Sequence, residues 1–297
     1  MKFASIFSVA FAALFSMFAP VLSMEHTSLR QARSGAAVTK VGLFVEGFSE
    51  ESSFRTKMTI KAGLGDAEII ELKLEDLKSM TVTDIQLFVA PSEVSVGSES
   101  IVAEGMGIIA DFVKKGSFLF SQLDSTSPLC KEFDYDGTET TNANFIFDGV
   151  CKGPITKIGP METECRAAMA LVDSRTRMIT YNNLYVNGGF YFEGAEAMES
   201  CRVLASITPR DNSETLIEFR KNTNAKAIVV ACKHGDGAAI LSGVQLDQNV
   251  SFLEAHMKRH PEHAHVSAIK DLLSEISELS VTLLHFMSVL KIMASQS

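Results

Sequence analysis

The stretch IVAEGMGIIADFVKKGSFLFSQLDS, from Ile101 to Ser125, decides the fold. Val102, Met106, Ile109 and Phe112/Val113 recur at helical spacing, so they form one apolar stripe of a helix that stops at Lys114-Lys115-Gly116. Ser117 to Ser121 then reads as a short buried strand, and Gln122 to Pro128 as the polar loop leaving it. In an open α/β sheet, ligands and catalytic groups collect beyond the carboxyl ends of central strands. The tip of this loop offers Ser121, Gln122 and Asp124, with no cysteine and no nearby histidine. It is a place shaped for a site, without an obvious reagent.

Upstream, Lys40–Val45 reads as a first strand, Glu46 to Ser49 as the turn after it, and Glu51–Gly63 as a helix. Ala67–Leu72 and Asp84–Ala90 are the next strands, the second followed by the loop Pro91 to Gly97. Strand and helix alternating at this spacing imply βαβ units and a mostly parallel sheet flanked by helices. Downstream the pattern is less regular. Phe145–Pro154 reads as a segment punctuated by glycine and proline. Ala167–Val172 and Met178–Tyr181 look like strands, and Asn187-Gly188-Gly189 is a strong turn signal. Short elements follow at Ala195–Leu204, Leu216–Phe219, Ala227–Cys232 and Ala238–Ser242. Gly235-Asp236-Gly237 is a hairpin turn, since it lacks the Lys and Ser/Thr of a phosphate loop.

The ends of the chain carry different signals. Residues 1–23 show a basic start, an apolar run and small residues before Met24, the pattern of a cleaved signal peptide. The protein is therefore expected to be exported, periplasmic or secreted, and to meet a membrane only through that signal. Residues 24–39 read as a loose leader, 40–250 as one α/β domain, and 251–297 as a helical extension packed on it. In that extension, Phe252–His260 and Val266–Met293 are read as helices. The second contains His285 and Lys291, and falls short of the ~18 uninterrupted apolar residues of a membrane span. Docking on the sheet, or in a homodimer contact, is expected instead.

A net charge of −9, made more negative when Lys2 is removed, argues against nucleic acid and anionic membranes as partners. The five cysteines permit disulfides in an exported protein, with at least one thiol left over. Cys232, inside an apolar run, reads most simply as a buried small hydrophobe. His256 and His260 share a helical face but lack an HExxH context, so a solvated surface is expected rather than a metal site. No cofactor is expected.

Several segments fall in a familiar order: KVGLFVEG, IQLFVAPSE, IIADFVKKGSFLF, FDGVCKGP, CRAAMALV, VNGGFYFEG and HGDGAAILSGVQLD. In this order the chain resembles the amino-terminal domain of eukaryotic-type biotin–protein ligases, a branch of the class I glutamine amidotransferase-like superfamily. The resemblance implies a flavodoxin-like sheet. It also implies a Gly-x-Cys-Ala-Gly elbow where this chain reads Phe120 to Asp124, so that Gln122 stands in the place of the nucleophilic cysteine. The Pro-Gly-Gly loop that supplies oxyanion amides corresponds to Pro91-Ser92-Glu93, and the His-Pro-Glu of the triad to Gln245-Leu246-Asp247. Glutamine has no proton-accepting group near neutral pH, and Glu93 brings negative charge where an oxyanion needs donors. Without a tryptophan or a Gly-Arg-Gly-type motif, biotin transfer is not expected.

The leading expectation is a catalytically inactive protein that binds a small molecule or a protein partner. Its candidate binding residues are Ser92, Glu93, Ser121, Gln122, Asn187, Gly188, Gly189, Gln245 and Asp247. The rival expectation is an amide or ester hydrolase with a relocated nucleophile, Ser121 or Cys130, and His234 or another histidine as base. A purely interacting protein would instead show a large exposed apolar patch.

Overall fold

Side-chain alternation along the parallel strands sorts the core into two layers, one on each face of a single mixed sheet. The computed structural model describes residues 40–64, 67–81, 85–134, 144–153, 167–172, 179–184, 189–209 and 226–247, with Glu254 and Lys258. The chain opens with β1 (Lys40–Phe44), α1 (Glu50–Leu64), β2 (Glu68–Leu72), α2 (Leu74–Ser79), β3 (Leu87–Val89), α3 (Glu99–Lys114) and β4 (Phe118–Gln122). Further strands follow at β5 (Cys130–Asp134), β6 (Phe147–Lys152), β7 (Ala167–Val172), β8 (Ile179–Leu184) and β9 (Tyr191–Phe192). The last are β10 (Cys201–Pro209), β11 (Lys226–His234) and β12 (Gly237–Ser242).

The sheet order is β2-β1-β3-β4-β12-β11-β10-β7-β8. From β2 to β12 every neighbouring pair is parallel, giving the 2-1-3-4-5 order of flavodoxin-like sheets with β12 in fifth place. Beyond β12 the ladder turns antiparallel through β11, β10, β7 and β8. The β11–β12 connection at Gly235 and Asp236 is the hairpin read from the sequence.

Val41, Leu43, Leu87, Val89, Phe118, Phe120 and Ile240 face the α1 side of the sheet, with Ile60 of α1 among them. Phe44, Phe88, Leu119 and Leu241 face the other side, against Val102, Met106, Ile109, Phe112 and Val113 of α3. The apolar stripe read from the opening stretch is thus the buried face of α3. Each of these large side chains contributes roughly 1.5–3 kcal/mol by leaving water.

Phe145–Pro154, the segment punctuated by glycine and proline, contains β6, which pairs with β5 and β9. Gly149 sits in this strand for space: a Cβ there would approach the Met198 methyl to 2.5 Å and the Phe147 ring to 2.9 Å. Cys232 is buried, but it is not a free hydrophobe. It is bonded to Cys201, its directly opposed partner in the β10–β11 ladder. A second disulfide joins Cys130 to Cys151 and ties β5 to β6. The signal and leader segments, Cys165, Asn187, Gly188, Leu216–Phe219, His256, His260 and Val266–Met293 lie outside the described residues. No described helix is long and apolar enough to cross a membrane.

Candidate functional site

Three chain segments meet at the carboxyl ends of the parallel strands: the elbow after β4, the loop Pro91–Glu93 after β3, and Gln245–Asp247 after β12. Helix α1 closes over them from one side. Ser49 sits just before its first turn and accepts the Ser52 N–H at 3.1 Å, a side-chain cap that fixes where the helix starts. From that start, Ser52, Arg55 and Thr56 fall at i, i+3 and i+4 on the inward face, and all three are buried.

Their partners are the residues singled out from the sequence. The Ser52 hydroxyl accepts the backbone N–H groups of Ser92 at 3.0 Å and Glu93 at 3.2 Å, and lies 3.0 Å from the Ser92 hydroxyl. Arg55 donates to the Glu93 carboxylate at 2.6 Å, and the amide of Gln245 donates to the same oxygen at 2.6 Å. Ser49 donates to the other Glu93 oxygen at 3.2 Å. Gln245 also donates to the Ser92 hydroxyl at 3.2 Å. Thr56 donates to Asp247 at 2.9 Å, and the Arg55 Nε stands 4.0 Å from the other Asp247 oxygen. The side-chain oxygen of Gln122 accepts the Leu246 N–H at 3.0 Å. Ser92, Glu93, Gln122, Gln245 and Asp247 therefore converge, as their spacing in the resemblance requires.

The electrostatics of this cluster run in two directions. Burial alone would raise the Glu93 carboxyl, but the Arg55 hydrogen bond and charge, with Gln245 and Ser49, hold it below its usual value. Burial pushes Asp247 up, because the Arg55 charge and the Thr56 hydroxyl do not fully offset it. The negative charge that the sequence placed in the oxyanion loop is present, and Arg55 neutralises it.

The elbow has its own geometry. Gln122 keeps extended backbone, with φ −146° and ψ 143°. Leu123 follows with φ +50°, in the left-handed region that a bulky residue rarely enters. Strand alternation sends the Gln122 side chain to the α1 face, whereas Leu123 borders an open cleft of about 540 Å³. Val102, Phe133 and Phe190 contribute apolar walls to that cleft, while Glu93, Glu99, Asp124 and Gln245 contribute polar ones. Phe133 and Phe190 meet edge to face at 5.2 Å. Phe190 is held there because its N–H donates to the Gly243 carbonyl at 3.0 Å, and a Cβ on Gly243 would come within 2.1 Å of the Phe190 oxygen. Gly189 lines the cleft beside it with φ +140°.

The relocated nucleophiles are poorly placed. Cys130 is in the disulfide with Cys151, so it holds no thiol in this state. Ser121 is fully buried, its hydroxyl 2.8 Å from that of Thr126. His234 pairs across the hairpin with Gly237, and β12 runs from there alongside β4 toward the elbow. At about 3.3 Å per residue, His234 is more than ~13 Å from Gln122, at the far end of the sheet. Among the described residues no group of three or more His, Cys, Asp or Glu could hold a metal.

Sequence reasoning found the loop residues and missed Ser52, Arg55 and Thr56. Polar residues at i, i+3 and i+4, where a docked helix should place apolar ones, were the available signal.

The family model described as "Biotin-protein ligase, N terminal" matches residues 136–296. A comparison with curated protein sequences gives no match. A glutamine amidotransferase from Thermotoga maritima superposes with a TM-score of 0.54 at 9% identity, covering 87% of this chain and 99% of that one. The GH42 β-galactosidase Gan42B from G. stearothermophilus gives a TM-score of 0.43 at 12% identity, with 76% of this chain covered. The chain spans about 30% of the length of that β-galactosidase. The likeness to the amidotransferase shows a shared fold.

Proposed function

The chain belongs to the biotin-protein ligase N-terminal family, and we propose that it is an exported binding protein which keeps an amidotransferase-like scaffold without its hydrolytic chemistry. One observation carries this reading. The two backbone amides that would have to stabilise an oxyanion, those of Ser92 and Glu93, both donate to the hydroxyl of Ser52. Such donors act when they point at the place where charge develops, and these point into the protein. The position of the left-handed elbow residue sharpens the reading. In a nucleophile elbow the reactive side chain occupies the strained position at the strand end, and here that position belongs to Leu123. We accordingly place the vestigial seat at Leu123, one residue beyond Gln122. Leucine offers no nucleophile, and no described histidine stands near it.

Retention of the cleft supports a binding role, since crevices beyond the strand ends of such sheets are the usual ligand sites. Export is supported by the amino-terminal signal pattern and by the two disulfides, which persist in oxidising compartments. The test is turnover by the purified protein on glutamine and a panel of simple amides and esters, alongside a serine-directed fluorophosphonate probe. The expected result is no turnover above the uncatalysed rate and no stoichiometric labelling. Hydrolysis that disappears in Ser121→Ala or Ser52→Ala would overturn the proposal.

A further inference from the structure

The cleft beside Leu123 has an unusual balance of donors and acceptors, and it narrows the ligand. Its described lining contains three carboxylates, Glu93, Glu99 and Asp124, and no lysine, arginine or histidine. Arg55 neutralises Glu93 from beneath. No described cation pairs with Glu99 or Asp124. Glu99 accepts the Gly97 N–H at 3.3 Å through one oxygen, and Asp124 accepts the Val94 N–H at 3.1 Å through one oxygen, which leaves the second oxygen of each for a ligand. The amides of Ser92 and Glu93 cannot serve an anion, because Ser52 holds them. Leu123 lines the same cleft, as do Phe133 and Phe190, whose rings meet edge to face. Hydrocarbon and aromatic faces beside carboxylates suit an organic cation, through charge-assisted hydrogen bonds and ring–cation attraction.

We infer that the cleft takes a small organic cation, a primary ammonium or guanidinium on an apolar body, with its charge between Glu99 and Asp124 and its body over Leu123, Phe133 and Phe190. The inference rests on the proposal that the cleft binds a ligand without turning it over. A carboxylate or phosphate ligand is disfavoured by the same lining, since among its described residues it would meet like charge and no cationic side chain. Binding should weaken with added salt, because both carboxylates are reached from solvent at the mouth.

Isothermal titration with phenethylamine, its neutral isostere 2-phenylethanol and the anion 3-phenylpropanoate tests this directly. The amine should bind roughly tenfold or more tightly than the alcohol, and the anion should not bind. Glu99→Gln with Asp124→Asn should reduce amine binding to the level of the alcohol while leaving the alcohol unchanged. Ser127→Trp, which fills the cleft mouth, should abolish binding of both. Equal binding of amine and alcohol, with both lost in Ser127→Trp, would overturn the cationic preference and leave the binding role standing. No binding of any probe, or binding unaffected by Ser127→Trp, would overturn the binding role as well.

Discussion

Helices α1 and α3 flank the same parallel strands and obey opposite rules. Helix α3 turns Val102, Met106, Ile109, Phe112 and Val113 to the sheet, as an amphipathic helix should. Helix α1 turns Ser52, Arg55 and Thr56 inward and leaves Phe54 and Met58 exposed, at 61% and 48%. The inversion makes sense only at the carboxyl edge of the sheet. There the first half of α1 faces the loops after β3 and β12, and further along Ile60 returns to ordinary core packing. One helix holds the fold; the other holds the polar groups of these loops in place.

Substitutions can break this contrast, and the largest effect should come from α3. Ile109→Ala opens a cavity in a fully buried cluster and should cost roughly 2–5 kcal/mol in chemical denaturation, with cleft binding little changed. Arg55→Met in α1 should cost about 3 kcal/mol, because Asp247 is left buried beside a carboxylate with no guanidinium between them. Unlike the α3 change, it should also tighten phenethylamine binding, since Glu93 lines the cleft and loses its counter-charge. Equal binding changes in the two variants would remove the distinction drawn between the helices.

A smaller effect separates the two carboxylates that Arg55 serves. The Asp247 carboxyl is raised above 3.8, so its contribution falls as pH rises from 3.8 toward the folded value, and Asp247→Asn should abolish that fall. The Glu93 carboxyl is lowered below 4.5, so its contribution is present above 4.5 and is lost as pH drops through the folded value. Glu93→Gln should remove that acid-side loss. Urea midpoints followed from acidic to neutral pH should therefore change slope in opposite senses in the two variants. Smallest of all, Phe54→Ser on the outer face of α1 should shift stability by no more than about 0.5 kcal/mol. A larger cost would mean that this face is covered.

How much could be read beforehand follows from the same contrast. The stripe of α3, the β1, β2 and β4 strands and the β11–β12 hairpin obey local periodicity, so the sequence displays them. The convergence of Pro91–Glu93, Gln122 and Gln245–Asp247 was legible through resemblance, because it depends on the order of motifs along the chain. Arg55 was not, since a lone arginine in a weakly amphipathic helix looks like a solvated residue until its partners at Glu93 and Asp247 are in place. The disulfide of Cys232 was hidden for a related reason: an apolar run reads the same whether its cysteine is free or bonded. The left-handed backbone of Leu123 was equally hidden, because a positive φ at leucine has no sequence signature.

The central claim is that Gln122 is locked beneath the elbow while Leu123 faces the cleft, and thiol reactivity measures it most directly. In a Cys165→Ser background, Leu123→Cys and Gln122→Cys would each be treated with iodoacetamide under native conditions. The account predicts that the Leu123→Cys thiol, at a largely buried position that borders the cleft, is alkylated slowly in the native state and more slowly still with phenethylamine bound, while the Gln122→Cys thiol is protected until the protein unfolds. Rapid alkylation of Gln122→Cys with protection of Leu123→Cys would contradict it.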